Sequence, residues 1–262
     1  MSNLPLTFAR TSRRGFLAGL LALAVMPRKA AAMGPASLLK FGLLRYASAG
    51  WNPRPGAIRT VIRHVGSSTS IEIADQPLEV EPTIAQLRKT PLLLWAGDRG
   101  FDPLSPEARG ALAAWMRAGG LLLIDSSEGR ADAGFDAAVR REMAAILPDA
   151  PLTRIGADHV LFKSFYLVRG GLGRMVILDY LEGATLDGRL AAIYCRNDLQ
   201  GAWAVDSLGQ PQFETTPGGT SQREMSERFG VNLVLYATCT DYKADQAHVK
   251  ALLGRRAWRV DE

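Results

Sequence analysis

The side chains most able to do chemistry sit just after apolar runs. They are Arg45 and Tyr46, Asp98 and Arg99, the run Asp125-Ser126-Ser127-Glu128, and the pair Asn197-Asp198. In an open α/β sheet, ligands bind outside the carboxyl ends of the strands, so these residues are expected to line a cleft of carboxylates and hydroxyls. The bland alternative is that Asp, Ser and Asn simply end strands and cap helices there. A hydrolase would draw on Asp125, Ser126, His159 and Asp198, with an imidazole oriented by a carboxylate. Against a serine nucleophile, Asp125-Ser126-Ser127-Glu128-Gly129 lacks the upstream glycine of a G-x-S-x-G elbow. His64 falls on an amphipathic segment and reads as a surface group. His159 follows Asp158, and His248 lies three residues after Asp245. Hydrogen bonding within the structure is the favoured role for both. No H-E-x-x-H or C-x-x-C pair is present, and a metal site would need Asp98, Asp125 and Asp198 to converge. There is no P-loop, and Gly170-Gly171-Leu172-Gly173 reads as a turn between two strands rather than a dinucleotide loop. No cofactor is implied.

The elements that would position these groups centre on residues 91–129. Pro91–Gly97 is an apolar run of a doubly buried strand. Ser105 and Pro106 open a helix whose apolar residues recur at Leu104, Ala108, Leu112, Trp115 and Met116, and Gly119-Gly120 stop it. Leu121–Asp125 is a second buried strand. Upstream, Lys40–Ala47 reads as a strand, Gly56–Gly66 as a helix, Ile71–Ile73 as a short edge strand and Thr83–Lys89 as a brief helix. Downstream, Asp132–Leu147 reads as a helix. This alternation implies an α/β, flavodoxin-like parallel sheet covered by helices on both faces. The C-terminal half adds β-hairpin strands at His159–Val168, Arg174–Leu181 and Arg189–Cys195, with Gly188 in a turn and a short strand at Gly201–Val205. Ser207–Thr220 is a polar loop, Ser221–Thr240 one helix and Asp241–Arg256 another.

The 262 residues carry 31 Lys and Arg against 26 Asp and Glu, a formal +5. The whole excess lies in residues 1–32, which hold Arg10, Arg13, Arg14, Arg28 and Lys29 and no acid. The rest is formally neutral, so the charge is no argument for nucleic acid. Residues 1–32 have signal-peptide anatomy: a basic start, the apolar run Gly15–Met26, and Ala30-Ala31-Ala32 before Met33. Ser12, Arg13, Arg14, Phe16 and Leu17 fit the twin-arginine (Tat) signal, with Ala18 where Lys is usual. The expected protein is exported by the Tat translocase into the bacterial periplasm as one domain, 33–262. An uncleaved signal would tether it to the inner membrane. In that compartment Cys195 and Cys239 are permitted to form a disulfide; two buried thiols are the alternative.

Ordered segments along the chain resemble the domain of unknown function family DUF4159. They include the opening KFGLLRYA with Trp51, the 92–129 unit with Gly119-Gly120 and Asp125, and Asp158-His159 before Phe165-Tyr166. Leu181-Glu182-Gly183, Asp187-Gly188-Arg189, Asn197-Asp198, Gly230-Val231-Asn232 and the stretch from Tyr242 to His248 complete the series, with Arg255-Arg256 behind. The resemblance implies a class I glutamine-amidotransferase-like fold. Such enzymes place a Cys in a strand-to-helix elbow, where this chain has Asp125-Ser126-Ser127. The expectation is therefore a non-catalytic binding or envelope-assembly module whose partners are inner-membrane or periplasmic proteins. The rival expectation is a hydrolase or carbohydrate-acting enzyme.

Overall fold

The computed structural model describes residues 38–130 and 133–238. Residues 1–32 with the twin-arginine motif, Cys239, His248 and the expected 241–256 helix lie outside the described residues.

Two runs of consecutive buried residues form the middle of a seven-stranded sheet. They are β3 (Leu92–Gly97) and β4 (Leu121–Ser126), paired in parallel. Around them stand β1 (Phe41–Leu44), β2 (Leu78–Val80), β5 (Thr153–Arg154), β6 (Glu182–Leu186) and β7 (Arg189–Cys195), in the order β2-β1-β3-β4-β7-β6-β5. β2, β1, β3, β4 and β7 run parallel; β6 is antiparallel to both its neighbours, β7 and β5.

Helices cover both faces. On one side α1 (Ala57–Ser68), α5 (Leu199–Trp203) and α6 (Gly219–Thr238) pack over Leu94, Leu123 and Ile193. On the other, α2 (Ile84–Leu87), α3 (Pro106–Arg117) and α4 (Gly134–Ile146) pack over Leu93, Trp95 and Ile124. The alternation of residues along each strand between the two cores is the period-two signature of a sheet buried on both sides.

The central β3–α3–β4 unit forms as its residues dictate. The Ser105 hydroxyl accepts from Ala108 N at 3.2 Å, and Pro106 opens α3. At the far end Gly119 takes φ 113°, Gly119 N donates to Met116 O and Gly120 N to Trp115 O. This is a Schellman stop. Gly120 has a second role, because a Cβ there would lie 2.2 Å from the Trp115 ring.

The C-terminal half departs from expectation in four places. His159–Val168 is not a strand: it forms a 3₁₀ turn, Val160–Phe162, and then irregular chain. Its backbone groups find partners on α6, where Asn232 Oδ1 accepts from Phe165 N and Tyr166 N and Asn232 Nδ2 donates to Leu161 O and Tyr166 O. Arg174–Leu181 is not a strand either. There Asn197 Oδ1 accepts from Ile177 N and Leu178 N, and its Nδ2 donates to Leu178 O. One buried asparagine thus stands in for each missing ladder, which satisfies the backbone without sheet pairing. Gly170–Gly173 accordingly joins no strands. The actual hairpin turn is Asp187-Gly188, both at positive φ, between β6 and β7. Gly201–Val205 is helical rather than extended up to Trp203, for reasons that belong to the site below. Near the amino end, Ile73 makes only an isolated bridge to Leu39, and the edge strand is Leu78–Val80.

Asn232 is fully buried and serves four backbone groups. Removing it orphans several buried polar groups at about 1–3 kcal/mol each. Asn232→Ala is expected to lower unfolding free energy by about 3 kcal/mol or more, read from urea denaturation; a loss under about 1 kcal/mol would mean the loop finds other partners.

Candidate functional site

The connections after β4 and β7, adjacent and parallel strands, leave toward opposite faces of the sheet: β4 feeds α4 and β7 feeds α5. Such a divergence opens the crevice in which α/β sheets hold ligands. Asp125 and Ser126 end β4, and Asp198 follows β7. Asp198 N donates to Ser126 O at 3.0 Å, which joins the two strand ends directly.

Asp198 has no exposed surface and holds φ 54°, ψ 62°, a left-handed conformation that few residues other than glycine accept. Its carboxylate takes five hydrogen bonds. Oδ1 accepts from Arg54 Nε at 3.1 Å, Ser127 Oγ at 2.9 Å and Gly201 N at 3.0 Å. Oδ2 accepts from an Arg54 terminal nitrogen at 2.6 Å and from Arg174 Nε at 2.5 Å. The bond to Gly201 N makes Asp198 the N-cap of α5, and Gly201 leaves it room, since a Cβ there would sit 2.4 Å from Asp198 Oδ2. Asp125 completes the cap: its oxygens accept from Leu199 N and Gln200 N, each at 2.8 Å. Two carboxylates therefore satisfy the first amides of α5, which is why this segment coils instead of extending.

The two arginines come from distant loops, Arg54 from the β1–α1 connection and Arg174 from the excursion between β5 and β6. Both lie against the Phe213 ring, Arg54 at 4.4 Å and Arg174 at 5.7 Å from its centre. Arg223 of α6 holds that phenylalanine's loop by donating to Phe213 O and to Ala202 O. Burial works against the Arg54 charge, but the bonds and field of Asp198 outweigh it and raise its pKa. Burial, reinforced by the negative field of Asp198, pushes the Asp125 carboxyl up to about 7, although the amides of α5 pull the other way. Gln200 is also fully buried beside this carboxyl.

Of the four residues expected to work together, the structure joins Asp125, Ser126 and Asp198. Ser126 is buried and its hydroxyl accepts from Glu128 N at 3.4 Å. His159 is elsewhere. Its Nδ1 accepts from Leu161 N at 3.1 Å, and its ring lies 5.8 Å from Tyr236, whose hydroxyl accepts from Leu190 N near the amino end of β7. Burial pulls the His159 pKa down. His64 is half-exposed, 3.9 Å from Glu227. Cys195 is buried, and burial and Asp125 raise its thiol pKa, an unreactive setting. Its pairing with Cys239 falls outside the described residues. The three aspartates do not converge on a metal position, for Asp98 is held in a fork by Arg99 at 2.7 and 3.1 Å. No group of three His, Cys, Asp or Glu suits a metal among the described residues. Arg54, Arg174 and Phe213 were invisible to sequence reasoning. Each sits in a loop with no local partner, and only the folded chain brings them to Asp198.

Asp125 titrates differently in the folded and unfolded chain. Its folded pKa lies above its unfolded value, so between about pH 4 and 7 the folded state binds more protons and stability falls as pH rises. Relative to Asp125→Asn, which cannot titrate, the wild-type protein is expected to lose stability steadily from pH 4 to pH 7 in thermal melts. A constant difference across that range would contradict the assignment.

No curated protein matches the chain. The sequence profile of the domain of unknown function family DUF4159 matches residues 40–238, most of the chain and nearly all of the described fold. The protein therefore belongs to the DUF4159 family.

Proposed function

We propose that this protein is a non-catalytic binding module of the bacterial envelope, built on a degenerate amidotransferase-like layout. The observation that carries this reading is the commitment of the strand-end groups to structure. Asp198 is saturated by two arginines, Ser127 and Gly201, and Asp125 is fully buried, with each oxygen accepting from an amide of α5. A general base needs a lone pair within reach of substrate, and a nucleophile needs a base beside it. Ser127 instead faces a carboxylate already held by two guanidinium groups, and His159 caps a turn.

The order of the first four strands across the sheet, 2-1-3-4, supports the flavodoxin-like part of the proposal. Export rests on the Ser12-Arg13-Arg14 signal pattern, and assembly on the family resemblance set out in the sequence. The Tat translocase would be the partner during export; an inner-membrane or periplasmic complex would be the partner afterwards.

One observation favours an enzyme as the second reading. Asp125, titrating near 7, stands in the like-charge field of Asp198 beside Ser126, and perturbed carboxyls cluster at catalytic sites. The two readings separate by experiment. Affinity capture of the tagged full chain from gently solubilised envelopes is expected to retain one reproducible membrane complex. Capture of no complex, together with turnover of ester or glycoside substrates that Asp125→Asn abolishes, would overturn the binding-module reading in favour of the enzyme.

A further inference from the structure

A second crevice lies at the other divergence in the sheet. The connection after β1 departs to the face of α1, whereas those after β2 and β3 enter α2 and α3 on the opposite face. The space over the carboxyl end of β1, between the entries to α2 and α3, is filled by no helix among the described residues. It forms an open cleft of about 660 Å³.

The lining is aromatic and acidic. Trp51 is half-buried and reaches both cores, and Tyr46 forms part of the floor. Tyr46 is fixed by donating its hydroxyl proton to Ala96 O at 2.8 Å and by an edge contact with Phe101. Around these rings stand Glu81, Asp102 and Glu107, all exposed. None of the three forms an ion pair among the described residues, whereas Glu142, Glu182, Asp136 and Asp198 elsewhere are all paired with arginine. Among the described residues, the one cation lining the cleft is Arg45. It is 61% exposed, its charge is matched by Glu79 at 3.5 Å, and its guanidinium lies 5.8 Å from the centre of the Trp51 ring. The ring face thus already attracts a cation, but one held loosely from outside.

We propose that this cleft binds a flexible organic cation carrying two or more amino groups, with one ammonium on the Trp51 face and the others among Glu81, Asp102 and Glu107. An ammonium over an indole is attracted by the ring quadrupole, and carboxylates without counter-ions add a field that a neutral sugar or an anion would not use. Multiple amines on one chain come either from a free polyamine or from a lysine-rich segment of another protein.

The test is titration calorimetry of the full chain with spermidine at low ionic strength, with octane-1,8-diol as the uncharged control and trilysine as the second cation. Spermidine is expected to bind and the diol not to bind. Trp51→Leu should weaken binding about tenfold, the worth of one partly desolvated cation–π contact. Glu81→Gln with Glu107→Gln should weaken it further and flatten its salt dependence. Because Trp51→Leu also removes packing, Arg45→Gln supplies a variant that disturbs no core: freeing the ring face should tighten spermidine several-fold. Competition by trilysine identifies a shared site, and tighter binding of trilysine assigns the source to a protein segment. Absence of spermidine binding, or binding that none of these substitutions alters, overturns the proposal. Either result would leave the assembly-module reading standing, because that reading is tested by capture of a complex and not by titration.

Discussion

One buried carboxylate holds the carboxyl side of the molecule together. Asp198 occupies a backbone conformation that costs an L-residue about 1 kcal/mol, and glycine would relieve that strain. Glycine would also surrender the five hydrogen bonds by which this corner is assembled. The side chain is therefore worth more than the strain. Through it β7 is joined to the loop after β1, to the excursion between β5 and β6, and to the end of β4. A pair of arginines on one buried acid is stable only while the acid is present, since breaking such a network leaves uncompensated charge at a cost of about 3–5 kcal/mol.

The same economy appears twice more in amide form. Asn197 adjoins Asp198, and Asn232 lies mid-way along α6. Each fastens chain that pairs with no strand. Gly230, two residues before Asn232, lets α6 approach α1 closely enough that a Cβ would meet Val61 at 2.7 Å. Helix α6 is thereby seated against α1 while its asparagine reaches the 161–166 loop. Fold and site are supported from the same helix, because Arg223 on α6 also positions the Phe213 loop over the two arginines.

This division explains what was legible in the sequence. The first half reads well because its elements are stabilised locally and by burial. Examples are Ser105 and Pro106 opening α3, Gly119-Gly120 closing it, and unbroken apolar strands at 92–97 and 121–126. The second half reads poorly because distant side chains supply the partners. HVLFKSFYLV has the composition of a strand, yet Asn232, some seventy residues on, takes up its amides. Gly201-Ala202-Trp203 looks extended until Asp125 and Asp198 cap it as a helix. For the site, Asp125, Ser126 and Asp198 were readable as strand-end polar groups. Arg54, Arg174 and Phe213 were not, because no local pattern marks a residue whose partner is more than twenty positions away.

Asp198 anchors the loops that carry Arg54, Ser127 and Arg174. Hydrogen exchange on the full chain carrying Asp198→Asn tests this most directly. Asparagine keeps the shape but gives up the charge that holds Arg54 and Arg174. The expected result is a coordinated loss of protection in three separate stretches, residues 54–58, 172–178 and 198–203, with β3 and β4 unchanged. Protection lost only at 198–203, with the two arginine-bearing stretches as well ordered as in the wild type, would contradict an anchoring role for Asp198.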